Sequence, residues 1–138
     1  MMPFTEYFKQ GCKPNLTGSI GLEVEHFLIS RNDGRPMPYD GENGIGQLLE
    51  FLRKDFPHAY YEQDLLIALE SEDVLITLEP GCQLEISLRC MNNLQKKMEI
   101  YLRTVSSILA YIQPRGYELI YTGGRPTTRQ ETVVVLDK

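Results

Sequence analysis

The sequence predicts an α+β fold: an antiparallel or mixed sheet with two helices packed on one of its faces. Three observations lead there. Residues 19–29, "SIGLEVEHFLI", alternate apolar and polar with the period of a half-buried strand. Residues 64–80, "DLLIALESEDVLITLEP", hold two apolar runs around a charged turn, the pattern of a β-hairpin. Two other stretches space their apolar residues at three and four, as helices do.

Taken in order, the first strand places Ile20, Leu22, Val24, His26 and Leu28 on one face and Gly21, Glu23, Glu25, Phe27 and Ile29 on the other. "RNDGRPMP" then reads as a loop. From Gly44, the spacing of Ile45, Leu48, Leu49, Leu52 and Phe56 predicts a helix that Pro57 stops. Gln47, Glu50, Arg53 and Lys54 form its solvated side. His58 follows as a loop residue, and the "ESED" turn of the hairpin is expected to be simply hydrated. Pro80 and Gly81 bend the chain before "CQLEIS" resumes as a strand. Asn92 or Asn93 caps the longest helix, with Gln95 placed for a capping box if Asn92 is the cap. Leu94, Met98, Tyr101, Leu102, Val105, Ile108, Leu109 and Ile112 make its apolar stripe, and Pro114 and Gly116 end it. "YELIYTG" is the last expected strand of the sheet. The order is thus strand, helix, three strands, long helix, strand. Beyond it, "TVVVL" starts a further apolar strand at the end of the chain, as it would in a piece of a longer protein.

The totals narrow the function. A chain of 138 residues, 42% hydrophobic and 24% charged, suits one globular domain. A net charge of -5 without a basic run argues against a general nucleic-acid binder. No apolar run approaches the ~20 residues that span a bilayer. The start, "MMPFTEYFKQG", lacks the order of an export signal. Cys12, Cys82 and Cys90 show neither CxxC nor Cys/His spacing, so a reduced, cytoplasmic protein is expected. "NLT" at Asn15 is then a chance match to a glycosylation acceptor.

The chemistry lies in the acids. Glu23 and Glu25 leave one side of their strand roughly 6.5–7 Å apart along the backbone. Thr77 and Glu79 share a parity, as do Gln83, Glu85 and Ser87, with Ile76, Leu78, Leu84 and Ile86 opposed. An antiparallel sheet with one face to water accounts for such acids without a site. Without interleaved Lys or Arg, however, like charges accumulate across neighbouring strands. Mg²⁺ or Mn²⁺, which prefer oxygen ligands and share carboxylates with phosphates, would reconcile them. Other chemistries fit less well. No Trp supplies a sugar platform, no GxSxG marks a serine nucleophile, and neither GxxxxGK[ST] nor a strand-borne GxGxxG is present. His26 falls on the apolar parity, as a packed core histidine would. Cys82 has no paired base nearby in sequence to make it a nucleophile.

"GLEVEHFLI", "ITLEPGCQLEIS", a long helix and "GYELIYTGGRP" together resemble the N-terminal part of a glutamate–cysteine ligase of the plant and proteobacterial type. There the counterparts run approximately G-x-E-x-E-x-F and I-S-L-E-P-G-G-Q-x-E-x-S. The likeness covers about residues 20–126. It implies part of a glutamine synthetase-like catalytic domain, whose antiparallel sheet forms a carboxylate-lined funnel. The implied activity joins the γ-carboxyl of glutamate to the amine of cysteine with ATP and Mg²⁺ (or Mn²⁺), through an acyl phosphate, as the first step of glutathione synthesis. Glu23, Glu25, Glu79 and Glu85 would hold metal, and Gln83 would face the same cavity toward substrate or nucleotide. Cys82 departs from the family pattern by replacing its second glycine. The family's basic phosphate-binding residues lie further along than this chain runs, so the remainder of a ligase is an implied partner. A non-catalytic metal- and nucleotide-binding module, and a ligase for another amine, are the alternatives.

Overall fold

The computed structural model describes residues 3–12 and 18–124. Asn15 and "TVVVL" lie outside the described residues. The fold is α+β. A first helix, α1 (Phe4–Gly11), precedes strand β1 (Ile20–Ser30) and helix α2 (Ile45–Leu52), which tightens into a 3₁₀ turn at Arg53–Asp55. Strands β2 (His58–Glu62), β3 (Leu65–Glu70), β4 (Val74–Glu79) and β5 (Gln83–Met91) follow, then helix α3 (Leu94–Ile112), a 3₁₀ turn (Gln113–Arg115) and β6 (Tyr117–Ile120). The six strands form one antiparallel sheet in the order β2-β3-β4-β5-β1-β6. Among the described residues no helix is long and apolar enough to cross a membrane.

The alternation of β1, β4 and β5 decides which side is covered. Leu28, Leu69, Ile76, Leu84 and Ile86 are buried against Leu48, Leu49 and Leu52 of α2 and Ile108 and Ile112 of α3. α2 packs on β3 and α3, while α3 packs on β5 and β6. Each buried Leu or Ile contributes roughly 1.5–3 kcal/mol of apolar transfer, so this layer anchors the sheet.

Four expectations need correction. His58 is not a loop residue: it opens β2, an exposed edge strand paired to β3. That hairpin turns on Gln63 and Asp64, both at positive φ (47° and 67°), without the Asn-Gly or Asp-Gly pair that advertises such turns. α1 is a further unexpected element, a single short helix with no buried residue. The apolar stripe of α3 is also rotated. Leu94, Met98 and Leu102 are 59%, 38% and 55% exposed, while Lys97, Ile100, Thr104 and Tyr111 join Tyr101, Val105, Ile108 and Ile112 in the buried face. Lys97 holds that rotation because its apolar stem is buried and its Nζ donates to the carbonyl of Ile20. Finally, the "ESED" turn is not merely hydrated. Ser71 closes it through its hydroxyl and Val74, and Glu70 is engaged across the sheet. Asn93, not Asn92, caps α3, accepting from the Lys96 amide at 2.9 Å.

Candidate functional site

The uncovered face of the sheet carries the acids in rows. Ala68, Thr77, Glu85 and Glu25 stand opposite one another in sequence across β3, β4, β5 and β1. The next row holds Glu70, Leu75, Ser87 and Glu23, and Glu79 pairs with Gln83 beside the β4–β5 turn. Directly paired residues project to the same side with Cβ atoms ~4.5–5.5 Å apart. Glu23, Glu25, Glu79, Gln83 and Glu85 therefore share one face of neighbouring strands. Glu23 and Glu25 are exposed, and Glu79, Gln83 and Glu85 are half-buried.

Neutral donors orient two of these carboxylates. Gln83 Nε2 donates to Glu25 Oε2 at 2.7 Å, and Ser87 Oγ donates to Glu85 Oε1 at 2.6 Å. Strand alternation brings Ser87 here, two residues from Glu85 on β5. The turn that starts β5 is tight: Pro80, Gly81 and Cys82 join the Glu79–Gln83 pair, with Gly81 and Cys82 both left-handed (φ 74° and 59°). Cys82 thus occupies a conformation that suits glycine better.

The face is less purely acidic than its sequence indicates. Arg89 has the parity of Gln83, Glu85 and Ser87 and donates to Glu70 at 2.8 Å. Tyr60 donates to the other Glu70 oxygen. That hydroxyl, and then Arg89, hold the Glu70 carboxyl below its ordinary pKa. This corner is neutralised, and Glu23, Glu25, Glu79 and Glu85 make no ion pair among the described residues.

Among the described residues, Glu23, Glu25, Glu79 and Glu85 line neither of the two clefts of the fold, unlike the carboxylate-lined funnel that the resemblance implies. One cleft of about 440 Å³ lies between Leu52, Phe56, Val74, Arg103, Thr104 and Ser107 and touches none of these acids. Among the described residues no three His, Cys, Asp or Glu side chains are gathered closely enough to hold a metal together. The donor set still suits a hard cation, which takes one or two carboxylates and completes its shell with water and phosphate. One orphan supports that fit. Thr77 Oγ1, in the row of Glu85 and Glu25, is buried with no hydrogen-bond partner among the described residues, and such groups are costly unless something else satisfies them.

His26 takes no part in the acid face. It is fully buried on the helix side, where its Nδ1 donates to the Leu84 carbonyl at 3.3 Å and its Nε2 accepts from the Tyr101 hydroxyl at 2.8 Å. The carbonyl can only accept, so Nδ1 carries the proton. Burial pushes the imidazole pKa down. Burial, then the neighbouring Tyr121, pushes the Tyr101 phenol up to about 12.

Thr77 and Ser87 are the residues to which sequence reasoning assigned no role. Their signal was parity with Glu79 and Glu85, but a hydroxyl on a half-wet sheet face is too ordinary to stand out.

The family model described as glutamate-cysteine ligase family 2 (GCS2) matches residues 19–138. Among known proteins, the chain is 29% identical over 133 residues to chloroplastic glutamate–cysteine ligases of Brassica juncea and Arabidopsis thaliana, covering 96% of this chain and 25% of each relative. It is 35% identical over 82 residues to chloroplastic glutamate–cysteine ligase A of Oryza sativa subsp. japonica, covering 59% of this chain and 16% of that one. The chain thus spans about a quarter of the length of the first two relatives. With the family model extending over β1 to β6 and both acidic motifs, the chain belongs to glutamate-cysteine ligase family 2.

Proposed function

We propose that this chain carries the metal-binding carboxylates of an ATP- and Mg²⁺-dependent glutamate–cysteine ligase, which forms γ-glutamylcysteine through an acyl phosphate. The observation that carries the reading is the opposition of Glu25 and Glu85, with Glu23 and Glu79 on the same face, in a chain of this family. Glu23, Glu25, Glu79 and Glu85 would hold Mg²⁺ or Mn²⁺. The bound ion would neutralise phosphate charge as the γ-phosphoryl group moves to the glutamate carboxylate. Gln83 holds Glu25 in place and presents its amide toward substrate or nucleotide. Glutamate, cysteine and ATP are the small-molecule partners, and the chain is one domain (residues 1–138) that the remainder of a ligase completes. The expected compartment is the cytoplasm, in keeping with the exposed free thiols of Cys12 and Cys90.

ADP release that requires glutamate and cysteine together tests this reading. ADP formation with other amines in place of cysteine would redirect it to a related carboxylate–amine ligase. The openness of the acid face favours a second reading, a metal- and nucleotide-binding module without catalysis. Calorimetric Mg²⁺ binding that persists with no ADP under any substrate pair would select it. No heat with Mg²⁺ or Mn²⁺, alone or with an ATP analogue, would leave the acids as an ordinary wet face.

A further inference from the structure

Glu25 and Glu85 face each other on β1 and β5, and each has one oxygen occupied by a neutral donor. Gln83 takes Oε2 of Glu25 and Ser87 takes Oε1 of Glu85. The second oxygen of each carboxylate makes no hydrogen bond among the described residues. Glu23 and Glu79 have no comparable side-chain donor there. The two best-oriented acids are therefore the two that oppose each other, and the orphaned Thr77 hydroxyl lies in their row.

We propose that Ser87 is a positioning residue for the metal site: its hydroxyl fixes the Glu85 carboxylate so that the remaining oxygen, with that of Glu25, forms the principal divalent-cation site of the face. This rests on the metal-binding reading above. A carboxylate free to rotate must lose that freedom when an ion binds, whereas one already hydrogen-bonded has lost it on folding. Ser87 contributes no charge and needs no contact with the ion. Its neutrality also leaves the negative potential of the pair intact, which a Lys or Arg clamp would cancel.

The test measures Mn²⁺ affinity by electron paramagnetic resonance on the full chain and its Ser87→Ala and Ser87→Thr variants, with thermal unfolding in EDTA alongside. The expected result is about tenfold weaker Mn²⁺ binding in Ser87→Ala, the usual scale for removing a group that orients a ligand. Ser87→Thr, which keeps the hydroxyl on a strand that tolerates β-branching, restores the affinity. Metal-free melting temperatures stay together. Unchanged affinity in Ser87→Ala, no rescue by Thr, or loss of the fold in Ser87→Ala would each overturn the positioning role while leaving the metal reading standing. An unmodified chain that binds no Mn²⁺ would overturn both.

Discussion

Gln83 donates to Glu25 across the β1–β5 boundary, joining residues 58 positions apart in the sequence. The bond ties the start of β5 to the middle of β1 on the face that also holds Glu85, and it links the two acidic stretches of the sequence. It also sets up a conflict. Three acids, Glu25, Glu85 and Glu23, sit on adjacent strands and make no ion pair among the described residues.

That conflict predicts opposite effects on stability and binding. Glu25→Gln or Glu85→Gln removes one of two facing like charges, worth roughly 0.2–1 kcal/mol across a strand pair. Urea unfolding in EDTA should show each variant as stable as the parent or more so by that amount. Mn²⁺ titration should show the affinity lost. A destabilised Glu25→Gln protein in EDTA would mean that its carboxylate is structural.

The buried imidazole makes stability depend on pH in one direction. His26 has a lowered pKa in the folded protein, so between its unfolded value near 6.5 and its folded value the unfolded chain binds more protons. The contribution of His26 is full above pH 6.5 and is lost progressively as pH falls toward the folded pKa. Urea midpoints at pH 7.5 and pH 5.5 should fall further apart in the parent than in His26→Gln. An equal drop in both would assign the acid sensitivity to other groups.

Lys97 tests whether α3 is held by packing or by charge. Its stem is buried, and its ammonium reaches the Ile20 carbonyl. Lys97→Ala leaves a cavity and should cost about 2 kcal/mol or more, by analogy with other large-to-small core changes. Lys97→Met keeps the volume and should cost about 1 kcal/mol, the net worth of a hydrogen bond. Equal losses on chemical denaturation would show that the bond outweighs the packing.

Cys82 sits in the left-handed region at φ 59°, where glycine is at ease and a Cβ is strained. Cys82→Gly should be more stable than Cys82→Ala by about 1 kcal/mol, the cost of a Cβ in the left-handed region. The comparison with Ala removes the sulfur from both sides. If the two variants unfold together in urea, the turn relaxes without strain.

Much of this fold was legible one residue at a time. Alternation separated Leu22 and Val24 from Glu23 and Glu25, and Leu84 and Ile86 from Gln83 and Glu85, because side-chain direction along a strand is a local property of the backbone. The β3–β4 hairpin and the Ile45–Leu52 helix followed for the same reason. The β2 strand and the α1 helix did not, since one is an exposed edge and the other buries nothing, so neither leaves an apolar pattern of sufficient length. What only the tertiary structure decided is partnership. β1 pairs between β5 and β6, although β5 is more than fifty residues away, and that placement sets Glu25 against Glu85 and Gln83 against Glu25. It also turned α3 so that Lys97, not Leu94 or Met98, is inside, through bonds to Ile20 and His26 that lie over seventy positions back. Parity tells which side of a strand a residue takes. Register and helix rotation depend on how separate segments fill one core, and no single segment contains that information.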